Sequence, residues 1–296
     1  MHQSMVKIAV IGDVHDLWEQ ADNDALKHLG VDLALFVGDY GNEAVEVVRR
    51  VAAADLPKAA ILGNHDAYYS ASNKGIQNCP YDRRKEDWVQ LQMDLLGEDH
   101  VGFSKREFPQ FDITVVGGRP FSWGGSKWRY RKFYRDRFDV RNFDESLDLI
   151  LAAADEAENG ILIFVGHVGP YGLGAQPEDP CGKDWDDKGG DYGDPDFAEA
   201  IALTQQSGRR VPLVAFGHMH HKLKNADRLR RRVVTDPTGT LYFNAANVPR
   251  IEKTAAGHQR SFSLVTLDQG RVESIVLLWL NSAFEKISEE ILYEAP

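Results

Sequence analysis

Side chains that bind metal ions follow five short apolar runs of this chain. At each place a glycine stands directly before the first polar residue, in the sequences "GDVH", "VGD", "GNHD", "VGH" and "GHMH". Glycine lets the backbone turn the following side chain outward without interference from a Cβ atom. The candidate residues at these five places are Asp13, His15, Asp39, Asn64, His65, Asp66, His167, His218 and His220.

The chemistry of these residue types points to a pair of divalent ions. Carboxylate, imidazole and amide groups without any thiolate favour Mn²⁺, Fe²⁺ or Zn²⁺ at a reactive site over a structural zinc, which prefers cysteine. Seven candidate ligands are too many for one ion and suit two ions ~3.5–4 Å apart, bridged by a carboxylate and a hydroxide. Such a pair acidifies its water and clamps a group undergoing in-line displacement, so phosphate esters are the expected substrates.

The elements that position these residues alternate between strands and helices in the first part of the chain. Strands are expected in "VKIAVIGD", "VDLALFVGD" and "KAAILGNHD", and helices at 17–29 and 42–54, the second behind Asn42 as its cap. This alternation predicts parallel strands joined by right-handed crossovers. Polar residues at the carboxyl ends of such strands gather along one edge of the sheet, where ligands bind.

The alternation weakens after residue 84. Helices are expected at 84–96 and 144–157, and the runs after "VPLVAFGH", including "TLYFNAA" and "RVESIVLLWL", resemble antiparallel strands. We therefore expect an α/β fold with two mixed sheets packed face to face and helices outside. A length of 296 residues suits a single domain spanning 1–296.

Two segments, 119–143 and 169–197, are longer than ordinary connections, and long ordered loops are often functional. The first contains "KWRYRKFYRDRFDVR", with seven basic and two acidic residues among aromatic ones. One interpretation is a cap over the site, with aromatic rings that stack on a base and arginines that meet phosphate. The alternative is an amphipathic helix with its aromatic residues inward and its arginines solvated or paired. Our hypothesis is that substrate contacts at least one of Arg129, Arg131 and Arg135.

The second long segment, 169–197, is rich in glycine and aspartate, and we expect it to frame the site from the other side. Its seven aspartates, which include Asp186 and Asp187, suggest a calcium loop. Their spacing does not match an EF-hand, so this interpretation is the weaker one.

Composition excludes several classes of protein. A net charge of −11 repels polyanions, so we do not expect long nucleic acid as a partner. No run reaches the ~18 uncharged apolar residues of a membrane span, and no signal peptide is evident, which favours a cytoplasmic protein without a membrane contact. Cys79 and Cys181 are too few and too far apart for a disulfide framework and are interpreted as free thiols. Oligomeric state is not indicated.

The five motifs, in this order, resemble those of the calcineurin-like metallophosphoesterase superfamily. The resemblance runs from Asp13 to His220, and no position of the motif is missing. It implies a four-layer α/β/β/α sandwich of two mixed sheets flanked by helices. It also implies a phosphoesterase with two metal ions, in which a metal-bound hydroxide attacks a phosphomonoester or phosphodiester of a small phosphorylated substrate.

The same resemblance implies a role for each candidate residue. The first ion would be held by Asp13, His15 and His220, the second by Asn64, His167 and His218, with Asp39 as the bridge. His65 would protonate the leaving oxygen or steady the transition state, and Asp66 would orient the His65 imidazole.

Each motif taken alone has a plainer interpretation. Asp13 and Asp39 could cap helices, "GNHD" could be an ordinary turn, and the later histidines could be hydrogen-bonded residues near the core. Strand alternation places His218 and His220 on one side of the chain and His221 on the other. His221 is therefore not expected to bind metal.

Two other functions remain open from the sequence. One is a nucleotide phosphodiesterase or nuclease that uses the basic aromatic segment as a stacking platform. The other is a non-catalytic metal-binding interaction scaffold. The complete set of ligands and the presence of His65 argue against the scaffold.

Overall fold

The computed structural model describes residues 5–185, 188–224, 227–255 and 257–296. The strands in these residues are β1 (Val6–Ile11), β2 (Leu33–Phe36), β3 (Lys58–Ala60), β4 (Lys105–Phe108), β5 (Ile113–Gly117), β6 (Ile161–Val165), β7 (Arg210–Phe216), β8 (Val233–Thr235), β9 (Leu241–Asn244), β10 (Ile251–Thr254), β11 (Gly257–Asp268), β12 (Arg271–Leu280) and β13 (Lys286–Glu294). The α-helices are α1 (Gln20–His28), α2 (Val45–Ala52), α3 (Tyr68–Ala71), α4 (Asn73–Gln77), α5 (Trp88–Leu96), α6 (Arg131–Phe138), α7 (Phe143–Asp155) and α8 (Pro195–Gln206). No helix within these ranges is long and apolar enough to cross a lipid bilayer.

The strands form two mixed sheets in this part of the chain. The first has the order β13-β12-β11-β1-β2-β3, with β10 beside β11. Its strands β1, β2 and β3 are parallel, whereas β11 is antiparallel to β1 and β12. The second has the order β4-β5-β6-β7-β9-β8, with the four inner strands parallel and both edge strands antiparallel to their neighbours. The expectation of an α/β fold with two mixed sheets is confirmed.

One strand pairs differently from the expectation. The sequence predicts an antiparallel strand in "TLYFNAA", but β9 runs parallel to β7 and is antiparallel only to the edge strand β8. All four residues of β9 are buried, because the strand lies inside the second sheet. Alternation of apolar and polar residues marks an antiparallel strand with one exposed face, and a strand buried on both faces lacks it. A run of only four residues is too short to show the difference in the sequence.

Alternate residues of the central strands face different layers. In β1, Ile8 and Val10 belong to the core between the sheets, whereas Ala9 and Ile11 belong to the core that includes residues of α1 and α2. On the second sheet, a separate core joins residues of β6 and β7 to residues of α7 and α8. Helices, sheet, sheet and helices therefore follow one another, which confirms the four-layer sandwich.

The aromatic side chains of α6, within segment 119–143, pack inward. Tyr134 is buried, and its hydroxyl donates to the backbone oxygen of Pro120 at 2.8 Å. The rings of Phe133 and Phe138 lie 5.3 and 6.1 Å from the ring of Phe121. Helix α6 is therefore amphipathic with its aromatic residues inward, as the second of the two interpretations of segment 119–143 has it.

A buried ion-pair cluster ties the two long segments to each other. The guanidinium of Arg119 donates to Asp194 at 2.5 Å and to Asp196 at 2.9 Å, and all three side chains are buried. The rings of Trp128 and Phe143 flank the same guanidinium, with centroids 4.9 and 5.3 Å from its central carbon. Since a buried charge without its partner is costly, this cluster fixes one segment against the other.

Replacement of this buried cation provides a test of the cluster. Arg119→Met should lower the free energy of unfolding by ~3–5 kcal/mol, because two buried carboxylates lose their cation. Denaturant unfolding followed by circular dichroism measures the change. Arg141→Met is the matched control: its ion pair with Asp139 is exposed, and exposed pairs contribute ~0–1 kcal/mol. Equal losses in the two variants would show that the cluster does not hold the segments.

Candidate metal centre

The polar turns identified in the sequence meet at the carboxyl ends of parallel strands from both sheets. Strands β1, β2 and β3 lead to Asp13, Asp39 and Asn64, and strands β6 and β7 lead to His167 and His218. The backbone N–H of His218 donates to Asp13 Oδ2 at 2.9 Å. This bond joins a turn of the second sheet to a turn of the first, so the site lies where the two sheets meet.

One group of ligand atoms comes from Asp13, His15 and His220. The Nε2 atoms of His15 and His220 are 3.1 Å apart. Asp13 Oδ1 lies 3.8 Å from His15 Nε2 and 3.5 Å from His220 Nε2. This oxygen is buried and has no hydrogen-bond partner among the described residues. Two imidazole nitrogens around a buried, unpartnered carboxylate oxygen fit a divalent cation.

The second group surrounds His167. Its Nε2 atom lies 3.0 Å from Asn64 Oδ1, 3.1 Å from His218 Nδ1 and 3.3 Å from Asp39 Oδ1. His167 Nδ1 bonds the backbone oxygen of Val37 at 2.9 Å, which assigns a proton to Nδ1 and leaves Nε2 as the ligand atom. All seven candidate ligands thus lie in two groups whose membership matches the expected division. Metal binding and the bridging role of Asp39 stay predictions.

The buried charges of the site favour a cation between the two groups. Burial lowers the pKa of His167, but the charges of Asp39 and Asp13 more than reverse this effect and raise the pKa to about 9. Burial and the neighbouring His167 lower the pKa of His218 to about 3. The carboxylates therefore hold a proton on His167 that a divalent ion would displace on binding.

The backbone of the ligand turns adopts a conformation that is uncommon outside glycine. The residues with positive φ are Asp13 at 53°, His15 at 44°, Asp39 at 58° and His218 at 68°. Each such conformation costs on the order of 1–3 kcal/mol, and residues of this kind cluster at functional sites. The strain is an independent sign that these turns are shaped for the side chains they present.

The glycines before the ligands serve close packing as well as turning. A Cβ atom at Gly38 or at Gly63 would lie 2.7 Å from His167 Nδ1, closer than real Cβ contacts allow. Gly38 also has φ of 92°, which other residues rarely adopt. The ligand turns can therefore approach one another only because side chains are absent at these positions.

The plainer interpretation of the aspartates as helix caps is wrong. The residue that precedes α1 is Glu19, and the residue that precedes α2 is Ala44, so neither Asp13 nor Asp39 caps a helix. The expected cap at Asn42 is wrong for the same reason, because α2 begins three residues after it.

Asn42 instead contacts the candidate acid His65, and sequence reasoning missed this role. Asn42 Oδ1 lies 2.7 Å from His65 Nδ1, so the amide oxygen accepts the Nδ1 proton and leaves Nε2 available for proton transfer. The half-buried ring of His65 lies 5.2 Å from the ring of His15. The signal in the sequence was a polar residue close behind the "VGD" turn, which was interpreted as a cap.

The structure corrects the expected contact of Asp66 with the His65 imidazole. The buried Asp66 carboxylate accepts hydrogen bonds from the backbone N–H groups of Gly63, Asp39 and Tyr40, at 2.6, 3.0 and 2.9 Å. The carboxylate therefore fixes the backbone of two ligand turns. Orientation of His65 falls to Asn42.

A cavity of 1260 Å³ opens beside the two groups of ligands. Tyr68 and Trp123, which line it, also contact the site: the ring of Tyr68 stacks on His65 at 5.9 Å, and that of Trp123 lies 6.1 Å from His218. Arg129 and Arg131 line the same cavity.

Arg135 is not part of this cavity lining and instead pairs with Asp136 at 2.8 Å on the exposed face of α6. The expected substrate contact of Arg135 stays a prediction, although its ion-pair partner Asp136, and not Arg135 itself, lines the cavity. The contacts expected of Arg129 and Arg131 stay predictions.

Other features noted in the sequence lie away from the site. His221 belongs to neither group of ligand atoms, and its Nδ1 accepts from the backbone N–H of Val248 at 3.2 Å. In segment 169–197, Asp191 accepts from the backbone N–H groups of Gly172 and Gly193. The aspartates at positions 186 and 187 of the calcium-loop interpretation lie outside the described residues.

Comparisons with known proteins find a family match in sequence and a similar fold. The profile of the family described as calcineurin-like phosphoesterase matches residues 6–222. The crystal structure of TT1561 of Thermus thermophilus is similar at 12% identity and a TM-score of 0.50, covering 98% of this chain and 100% of that one. A dimetal phosphatase from Danio rerio is similar at 13% identity and a TM-score of 0.47, covering 98% and 99%. No protein of curated function matches the sequence.

Metal content tests the two groups of ligands. His220→Ala and His218→Ala should each lose about one of two ions, and Asp39→Asn should weaken the binding of both, because its carboxylate is predicted to bridge them. Manganese per chain is measured by mass spectrometry after equilibrium dialysis. His221→Ala is the control and should keep the full metal content. A loss in His221→Ala as large as in His220→Ala would mean that the ligands are wrongly assigned.

Proposed function

This chain belongs to the calcineurin-like phosphoesterase family, and from that premise we propose that it hydrolyses an ester of phosphoric acid with two divalent metal ions, Mn, Fe or Zn. The observation that carries the proposal is the pair of ligand groups around Asp13 and His167, which converge at the meeting point of the two sheets. The ligand types suit borderline divalent ions. The substrate class is a small phosphorylated molecule, either a monoester or a diester.

The residues of the site divide the work of this reaction. Two ions, when bound, acidify a water molecule and neutralise charge on the phosphate oxygens. Asp13, His15 and His220 would hold one ion, the group around His167 would hold the other, and Asp39 would bridge them. His65 lies beside the first group with its Nδ1 proton held by Asn42, so Nε2 is the free ring nitrogen. In the imidazolium form, with a proton on each ring nitrogen, Nε2 would pass its proton to the leaving oxygen and leave a neutral imidazole.

The cavity supports a second, narrower candidate, a nucleotide phosphodiesterase. Its lining includes the aromatic rings of Tyr68, Trp123 and Tyr130, on which a base could stack. The net charge of −11 argues against long nucleic acid but not against a mononucleotide. A metal-binding interaction scaffold without catalysis is the third candidate, and the candidate acid His65, whose ring lies 5.2 Å from that of His15, argues against it.

A substrate panel tests these candidates. We expect hydrolysis of p-nitrophenyl phosphate or its bis ester by the full chain in the presence of Mn²⁺, and loss of hydrolysis with a chelator. The panel also contains cyclic nucleotides and single-stranded DNA, which separate a nucleotide phosphodiesterase from a nuclease. Inactivity on every substrate with Mn²⁺, Fe²⁺ and Zn²⁺ would favour the scaffold and overturn the proposal.

Separate variants test the proton donor. His65→Ala should lower kcat by ~10²–10⁴-fold, because the leaving oxygen loses its acid, while metal content is kept. Asn42→Ala should cause a smaller loss of kcat, since the imidazole stays but its orientation relaxes. His221→Ala serves again as the control, with kcat unchanged. Loss of metal in His65→Ala equal to that in Asp39→Asn would contradict the assigned roles.

A further inference from the structure

We propose that the cavity beside the metal centre contains a second anion-binding site, which holds another phosphate group of the same substrate. We call it the distal anion site. Its cationic side chains are Lys74, Arg83, Arg129 and Arg131. That its ligand is a substrate phosphate rests on the proposed function, whereas the binding of a phosphate there does not.

The position of the cavity links the distal anion site to the reaction. Its lining comes from two stretches of chain, 68–90 and 123–137. Tyr68 from the first stretch stacks on the candidate acid His65, and Trp123 from the second contacts the candidate ligand His218, so each stretch begins beside a residue of the candidate metal centre. One ligand could therefore place one phosphate at the metal centre and extend the rest of its length into the cavity.

The charge of the lining is opposite to that of the chain. Six basic residues line the cavity against three acidic ones, in a protein with a net charge of −11. Two of the basic residues are neutralised locally: Lys132 pairs with Asp136 at 2.6 Å, and Arg137 pairs with Asp87 at 2.7 Å. The third acidic residue, Glu86, accepts a hydrogen bond from the indole N–H of Trp88.

The four remaining cations have no carboxylate partner among the described residues. Arg129 donates to the neutral hydroxyl of Tyr192 at 3.1 Å, and Arg83 reaches the backbone oxygen of Ser70 at 3.4 Å. Neither bond removes the positive charge. Because like charges around one cavity repel, a polyanion in the cavity would relieve the repulsion and gain charge-assisted hydrogen bonds.

The positions of these four cations favour a ligand that carries a phosphate in this part of the cavity over a ligand with a neutral group there. Lys74 and Arg83 come from one stretch of the lining, and Arg129 and Arg131 come from the other. Guanidinium groups match phosphate oxygens in pairs, so cations on both sides can hold one phosphate from two directions. The volume of 1260 Å³ exceeds the ~300–1,000 Å³ of ordinary ligand pockets and leaves room for a ring between the two phosphates.

The test compares ligands that differ in one phosphate. Adenosine 3′,5′-bisphosphate and adenosine 5′-monophosphate are titrated calorimetrically into the full chain in EDTA, so that neither hydrolysis nor metal enters the result. We expect the bisphosphate to bind at least ~10-fold more tightly than the monophosphate. The double variant Arg83→Gln with Arg131→Gln, one change on each side, should reduce this preference to less than about twofold.

Arg141→Gln is the matched control, an exposed arginine outside the cavity lining that pairs with Asp139. It should keep the full preference for the bisphosphate. No preference in the wild-type chain, or an equal loss in Arg141→Gln, would overturn the distal anion site. Displacement of the bisphosphate by inorganic phosphate at equal concentration would overturn its assignment to a substrate.

These outcomes are separate from those of the substrate panel. A chain that prefers the bisphosphate but hydrolyses nothing retains the distal anion site and loses the proposed function. A chain that hydrolyses phosphate esters without the preference retains the function and loses the site. Far-ultraviolet circular dichroism of each variant confirms that its fold is intact, which is expected because all three arginines are exposed or line an open cavity.

Discussion

The Asp66 carboxylate is the contact on which the candidate metal centre depends. It accepts hydrogen bonds from the backbone N–H groups of Gly63, Asp39 and Tyr40, and so joins the turn after β3 to the turn after β2. These hydrogen bonds offset part of the cost of burying Asp66, and α5 adds a bond from Gln92 to the Asp66 backbone oxygen. The positions of Asp39 and Asn64, which belong to the two turns, are thereby fixed relative to each other.

The rest of the site follows from the constraint that polar side chains of two sheets converge on one small volume. This convergence requires glycines where the turns touch and a left-handed backbone at several ligands. Each of these two features by itself lowers the stability of the fold. The apolar core between the sheets supplies the compensation, with residues such as Val10, Leu35 and Ala215 directly behind the ligand turns. Strained ligand turns at the edge of two well-packed sheets are expected where the positions of the ligand side chains matter more than the local stability of the turns.

Local patterns in the sequence predicted the strands and the layers and marked the seven candidate ligands, because these residues follow five apolar runs that each end in glycine. Metal binding by these residues stays a prediction. What failed depends on contacts between distant segments. Asn42 has the type and position of a helix cap, yet its partner is an imidazole that lies 23 residues along the chain. The direction of β9 likewise depends on which neighbouring strand it meets, and no local pattern encodes that neighbour.

Net charge alone misjudges the electrostatics of this protein. A total of −11 describes long-range repulsion, but charges separated by more than ~8 Å are largely screened at physiological salt, so a ligand inside the cavity responds mainly to its lining. There the basic side chains outnumber the acidic ones, and Lys132 and Arg137 take up two of the carboxylates. A small phosphorylated molecule that enters the cavity, as proposed, would therefore meet an attractive lining despite the negative net charge of the chain.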